Sequence, residues 1–274
     1  MTDFEQREIP FKERRLRSPK LRRGIFLLPS LFTVGNLMCG YYATVASLLG
    51  GHQEFNHAAK AIGVAIVLDS LDGRIARMTG TSSEFGMQFD SLADVVSFGV
   101  APALMAYSWA VRSLPGQDTL AVEQIRQMGW ICCLLFLICC AWRLARFNVQ
   151  GMAPGGSKFF VGLPTPAAAG VIAAFVHLFK GSPLQDERWA MAWLLLVAGL
   201  GALMTSTIRY YSFKDVPWTR RQRSLAVVLV GLFAAVIWLY SEIVLVVLAC
   251  TYAAGGLVLH IVRLVRHRLV SRTA

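Results

Sequence analysis

Charge is scarce in this chain of 274 residues: Asp, Glu, Lys and Arg make up only 16% of it, against about 25% in an average soluble domain. Acidic residues are scarcer than basic ones, 16 against 27, for a formal net charge of +11. With 55% hydrophobic residues, this composition excludes an ordinary soluble domain and points to a lipid bilayer. A disulfide framework is also missing. The six cysteines, Cys39, Cys132, Cys133, Cys139, Cys140 and Cys250, all lie inside apolar runs, where a free thiol behaves as a small hydrophobe. The Cys-Cys pairs seven residues apart therefore read as two buried helical turns and not as a metal site. A cleavable signal peptide is not expected either, because the first apolar run is too long and no A-x-A-like site follows it.

What is present is apolar sequence in long pieces. A helix needs about 17–25 residues to cross a bilayer, and eight runs qualify: residues 26–49, 58–78, 91–111, 127–147, 160–179, 189–208, 224–240 and 243–264. The expected fold is therefore an all-α integral membrane protein with eight transmembrane helices. Residues 1–24 form a basic, proline-punctuated tail without apolar periodicity, suited to lying on an anionic membrane face. Residues 25–214 form a six-helix core, and residues 215–274 add two helices and a basic C-terminal end.

The basic residues orient this arrangement. With the N-terminus inside, Lys60, Arg112, Arg126, Lys180 and Arg188 fall at the outer ends and every other Lys and Arg at the inner ends. That bias is the positive-inside pattern, and it places both termini in the cytoplasm. It also accounts for the surplus positive charge without nucleic acid. Trp109, Trp130, Trp142, Trp189 and Trp238 fall near run ends, as an interfacial aromatic belt requires.

Against this background one stretch is unusually acidic. Asp69 and Asp72 sit three apart at the end of the second run, and Asp90 and Asp94 sit four apart at the start of the third. Both spacings put a pair of side chains on one helix face. Between them lies a short polar turn with Gly80, Thr81, Ser82, Ser83 and Gly86, so two helices meet at the inner membrane edge and offer carboxylates to one space. Four such anions repel one another. Arg74 and Arg77 are too few to neutralise them as structural ion pairs, and intramembrane acids are functional as a rule. Two divalent cations, Mg²⁺ or Mn²⁺, match the charge and prefer oxygen ligands. A pair of metals suits in-line displacement at phosphorus.

The pattern Asp69-x2-Asp72-Gly73-x2-Ala76-Arg77-x8-Gly86-x3-Asp90-x3-Asp94 resembles the full signature of the CDP-alcohol phosphotransferases, with all eight positions at matched spacing. The resemblance implies that Asp69, Asp72 and Asp90 bind two divalent metals, and that Asp94 is the general base and touches metal as well. It implies that Gly73 and Ala76 leave room for the nucleotide. Arg77, Thr81 and Ser82 then stand near its phosphates, with Thr33 and Pro29 of the first run on the same side. Residues 28–40, 91–103, 143–148, 160–169 and 203–214 resemble the integral-membrane branch of that family that uses L-serine as acceptor, although Ser30 stands where Asn is expected.

At the inner edge, Arg143, Arg146, Asn148, Lys158, Arg209 and Lys214 cluster, and arginine binds carboxylate or phosphate with two parallel hydrogen bonds. Arg146, Asn148 and Arg209 stand at run ends and, with Lys158, are the candidate acceptor-binding residues. The resemblance implies transfer of the phosphatidyl group of CDP-diacylglycerol to L-serine, giving phosphatidylserine and CMP, in a homodimer. Glycerol 3-phosphate or inositol phosphate would use the same chemistry. A cation transporter, the alternative outside this class, would scatter acids near the midplane and show internal repeats; this sequence has neither.

Overall fold

The structure, a computed structural model, describes residues 19–79, 83–115, 119–151, 159–211, 240–256 and 258. Seven helices occupy most of these residues. They are α1 (Pro19–Leu49), α2 (His52–Thr79), α3 (Glu84–Arg112), α4 (Leu120–Gly151), α5 (Thr165–Leu178), α6 (Glu187–Thr205) and α7 (Tyr240–Gly256). Three helices, at Glu84–Arg112, Leu120–Val149 and Glu187–Thr205, are long and apolar enough to cross a membrane; α5 and α7 are apolar but shorter. The chain is thus an α-helical integral membrane protein, but the described helices do not by themselves establish eight spans or a six-helix core. The run expected at 224–240 lies outside the described residues except for Tyr240, which begins α7.

Helices α2, α3 and α4 begin six or seven residues before the expected runs, and two further boundaries depart in kind. α1 begins at Pro19, so the last part of the basic tail is already helical; proline suits a first helical turn, where its missing N–H costs nothing. The helix expected from residue 160 begins only at Thr165. The preceding residues form a strand, β1 (Phe159–Val161), paired antiparallel with β2 (Arg209–Tyr211), with Phe160 opposite Tyr210. Gly162 has φ +83 and Pro164 is extended with ψ 138, so the chain cannot turn helical before Thr165. A side chain at Gly162 would also place its Cβ 2.3 Å from the Met204 carbonyl oxygen.

α1 and α2 form a hairpin through Gly50 and Gly51; α2 packs on α5, α4 packs on α6, and α3 runs between α1 and α4. The core along these contacts is built largely of small residues, among them Ala43, Ala46, Ala58, Ala65, Ala101 and Ala106, while Leu31, Met38, Tyr41, Trp130, Trp142 and Leu195 face outward, each more than 60% exposed. This is the distribution expected where the surroundings are hydrocarbon: small side chains let backbones approach, and large apolar ones cost nothing outside. Among the described helical glycines the approach is closest at Gly40, where a Cβ would lie 2.3 Å from Ser97 Oγ and 2.7 Å from Ser97 Cα. Ser97 belongs to a π-helical stretch of α3, Val95–Val100.

The end of the bundle away from the aspartates is tied by aromatic and polar contacts. Trp109 is not interfacial as expected but buried at 1% exposure, stacked edge-on against Trp193 at 4.9 Å and near Phe179 at 5.8 Å. Trp193 Nε1 donates to the Ala106 carbonyl at 3.2 Å. His177 bridges three helices, with Nδ1 2.7 Å from Asn56 Oδ1 and Nε2 2.9 Å from Ser241 Oγ. Lys180 pairs with Glu242 at 3.4 Å, so α7 is fastened to the core there.

Candidate metal centre

The second half of α2 and the first half of α3 converge at the other end. Ser83 starts α3: its Oγ accepts from the Gly86 N–H at 3.0 Å, satisfying one of the free donors of the first turn. Two turns on, Asp90 and Asp94 share a face toward α2. Asp69, Asp90 and Asp94 each bring a carboxylate oxygen into one cluster, all within 4.8 Å of one another. Asp72, one turn beyond Asp69, points instead to α1, where its Oδ2 accepts from the Thr33 hydroxyl.

α1 supports the cluster from behind. Asn36 Nδ2 donates to Asp94 Oδ1 at 3.0 Å, and the Asn36 carbonyl accepts from Ser97 Oγ at 2.9 Å. The polar pair Thr33 and Asn36 thus faces the acids, one residue to each. Thr33, Asn36, Asp72, Asp94 and Ser97 are all buried.

Among the described residues no lysine or arginine pairs with any of the four aspartates within 4.0 Å, and Arg74 is exposed. Asp90 Oδ1 is buried without a hydrogen-bond partner. Three carboxylates this close, one with an unsatisfied oxygen, are an expensive arrangement for bare anions. The donor set, all hard oxygen, fits a divalent cation of the Mg²⁺ or Mn²⁺ type. Beside it a Cβ at Gly73 would meet nothing within 4 Å, so this face of α2 is open.

The basic residues of α4 take different positions. Arg143 is 7% exposed; its Nη1 donates to Thr165 Oγ1 at 3.4 Å, and its Nε has no partner. It lies within electrostatic reach of Asp69 and Asp94. Arg146, one turn on, donates to the Thr205 and Met204 carbonyls at 3.2 and 3.4 Å, closing the C-terminal end of α6. Asn148 Nδ2 donates to Ser91 Oγ at 2.9 Å and lines a groove of about 390 Å³ between α3 and α4 with Gln88, Leu92 and Val95. Thr81, Ser82 and Lys158 lie outside the described residues. Pro29, Ala76 and Arg77 lie in helices and Arg209 in β2, but their side chains are likewise outside that set. Ser97 was not singled out from the sequence; its signal was its place in the polar S-F-G interruption of an apolar run.

Comparison with known proteins gives this geometry a context. The family model described as CDP-alcohol phosphatidyltransferase matches residues 26–203. A Helicobacter pylori protein named CDP-diacylglycerol–serine O-phosphatidyltransferase is 35% identical over 76% of this chain and 81% of its own length. A Mycobacterium leprae protein of the same name is 33% identical over 85% and 75%. The archaetidylserine synthase of Methanothermobacter thermautotrophicus is 37% identical over 67% and 69%.

Proposed function

The chain belongs to the CDP-alcohol phosphatidyltransferase family, and we propose that it moves the phosphatidyl group of CDP-diacylglycerol onto L-serine, giving phosphatidylserine and CMP. The observation that carries the chemistry is the convergence of Asp69, Asp90 and Asp94 within 4.8 Å at the meeting of α2 and α3, with no basic partner among the described residues. The serine-specific names of the relatives support the acceptor.

In this reading Asp69, Asp72, Asp90 and Asp94 hold two divalent ions, Mg²⁺ or Mn²⁺, which when bound neutralise the pyrophosphate and the departing CMP. Asp94 also takes the proton of the serine hydroxyl as its oxygen bonds to the β-phosphorus and the bond from that phosphorus to CMP breaks. A carboxylate is a weak base, so its placement matters more than its strength; the Asn36 amide fixes one Asp94 oxygen and leaves the other for the proton. Thr33 holds Asp72 in the same way. The open face at Gly73 and Ala76 receives the nucleotide, with Pro29, Arg77, Thr81 and Ser82 toward its phosphates. Arg146, Asn148, Lys158 and Arg209 border the side from which the acceptor enters. The protein spans the bilayer eight times as a homodimer, with both termini and the active site cytoplasmic; there soluble serine arrives while the lipid tails stay in the membrane.

The test is an acceptor panel with purified protein and labelled CDP-diacylglycerol. Metal-dependent CMP release with L-serine is expected. Release with glycerol 3-phosphate or inositol phosphate and not serine would reassign the acceptor, and no metal-dependent release with any alcohol would turn the reading toward cation transport. Asp94→Asn should lower turnover at least about 10²-fold, the usual scale of a lost general base, while CDP-diacylglycerol still binds.

A further inference from the structure

The acceptor's carboxylate needs a cation close to Asp94, and the sequence alone offers several. The structure separates them. Arg146 is committed to two main-chain carbonyls of α6, and Asn148 to Ser91. Arg143 is held by one weak contact to a neutral hydroxyl, Thr165 Oγ1 at 3.4 Å, with Nε buried and unpartnered. A buried guanidinium in that state is costly unless an anion completes it. The aspartates do not complete it, since none comes within 4.0 Å among the described residues. With two divalent ions bound, the four carboxylates are neutralised without it.

We propose that Arg143, with Thr165 at the start of α5, is the specificity site for the acceptor's carboxylate; this rests on the serine reading above. Three placements support it. Arg143 lies within electrostatic reach of Asp94, the residue at which the acceptor hydroxyl must sit. In serine the hydroxyl and the carboxylate are on adjacent carbons, so a group that binds one must stand near the group that activates the other. Thr165 opens a 14-residue helix whose N-terminal end favours an anion, and the Arg143 side chain, whose Nε has no partner, is aimed at that end through Thr165 Oγ1. The nucleotide face, at Gly73 on α2, belongs to another helix pair, so the carboxylate here is the acceptor's and not a phosphate of the lipid donor. Guanidinium and carboxylate match as two parallel hydrogen bonds, and an uncharged acceptor would leave the guanidinium unpaired, which is how a polar site rejects the wrong substrate.

The experiment compares L-serine with serinol, in which a hydroxymethyl group replaces the carboxylate. The readout is the ratio of kcat/KM for the two, at saturating CDP-diacylglycerol. In the native protein the ratio should strongly favour serine, and in Arg143→Gln it should fall about tenfold or more, the scale of one charge-assisted pair. Arg143→Lys, which keeps the charge and loses the fork, should give an intermediate ratio, and it decides the matter if the Gln variant does not fold. An unchanged ratio would overturn the proposal even if overall activity drops, because a structural role would slow both acceptors alike. A raised Kd for CDP-diacylglycerol with the ratio intact would assign Arg143 to the donor instead. Failure of the native protein to use serine at all would show in the same assay as a loss of the underlying reading.

Discussion

Thr33 and Asn36 show how single side chains set the chemistry of acids they merely touch. Each donates one hydrogen bond to one aspartate, Thr33 to Asp72 and Asn36 to Asp94. Groups that orient metal ligands in this way are commonly worth 10–100-fold in metal affinity or activity. Thr33→Val, which keeps the shape and removes the donor, should therefore raise the Mg²⁺ or Mn²⁺ concentration for half-maximal turnover about tenfold or more. The Mn²⁺-induced rise in melting temperature should weaken in parallel. Asn36→Leu should lower kcat more than metal affinity, because the residue it frees is the proposed base. Asp69, Asp90 and Asp94 were legible as a cluster from their spacing, since i, i+4 fixes a shared face, whereas Asp72, three residues from Asp69, turns to Thr33 of α1. The arginines were not. Arg143 and Arg146 are also three apart on one helix, and nothing in their spacing says that one meets Thr165 at the start of α5 while the other closes α6. That choice is made by how α4 is rotated between α3 and α6, which is tertiary information.

At the scale of the helix, the contact that holds the site together is the crossing of α1 on α3. Gly40 lies one turn from Asn36, and Ser97 lies one turn from Asp94, so the crossing sets how deeply the Asn36 amide reaches the base. Gly40→Ala would place a methyl group 2.7 Å from Ser97 Cα. Because that atom is backbone, the two helices must separate. The expected cost is about 1–3 kcal/mol of stability, typical of overpacking a tight contact, read as a lower melting temperature in detergent. Turnover should fall further than for Ser97→Ala, which removes only the bond to the Asn36 carbonyl. If Gly40→Ala melts and works like the native protein, α1 and α3 are not in this contact. Helix positions were readable because apolar runs of span length leave little choice. Helix ends were less so: hydropathy continues from residue 160 to 179, but Gly162 and Pro164 override it and give β1 its three residues. Trp109 misled for a related reason. Its position near a run end suited an interfacial belt, whereas packing against Trp193 and Phe179 buries it.

For the molecule as a whole, the two ends of the bundle are chemically distinct, and this fixes a testable orientation. One end carries the aspartates, and the sequence assigns to it all of the 27 Lys and Arg but five. The other carries the Gly50–Gly51 turn, the connection from α3 to α4 and the segment after α5, where Lys60, Arg112, Arg126, Lys180 and Arg188 are found. Cationic residues are retained on the cytoplasmic side during insertion, so the aspartate end should face the cytoplasm. Ser83 and Gln185 are exposed at the two opposite ends, and the described native cysteines lie within helices, two of them buried. In intact cells, a membrane-impermeant maleimide should therefore label a Gln185→Cys variant and leave Ser83→Cys at the level of the native protein. After permeabilisation both should react. Labelling of Ser83→Cys from outside would invert the molecule. The acid cluster would then open away from the compartment that supplies cytidine nucleotide, and a cytoplasmic transferase would no longer be compatible with the fold.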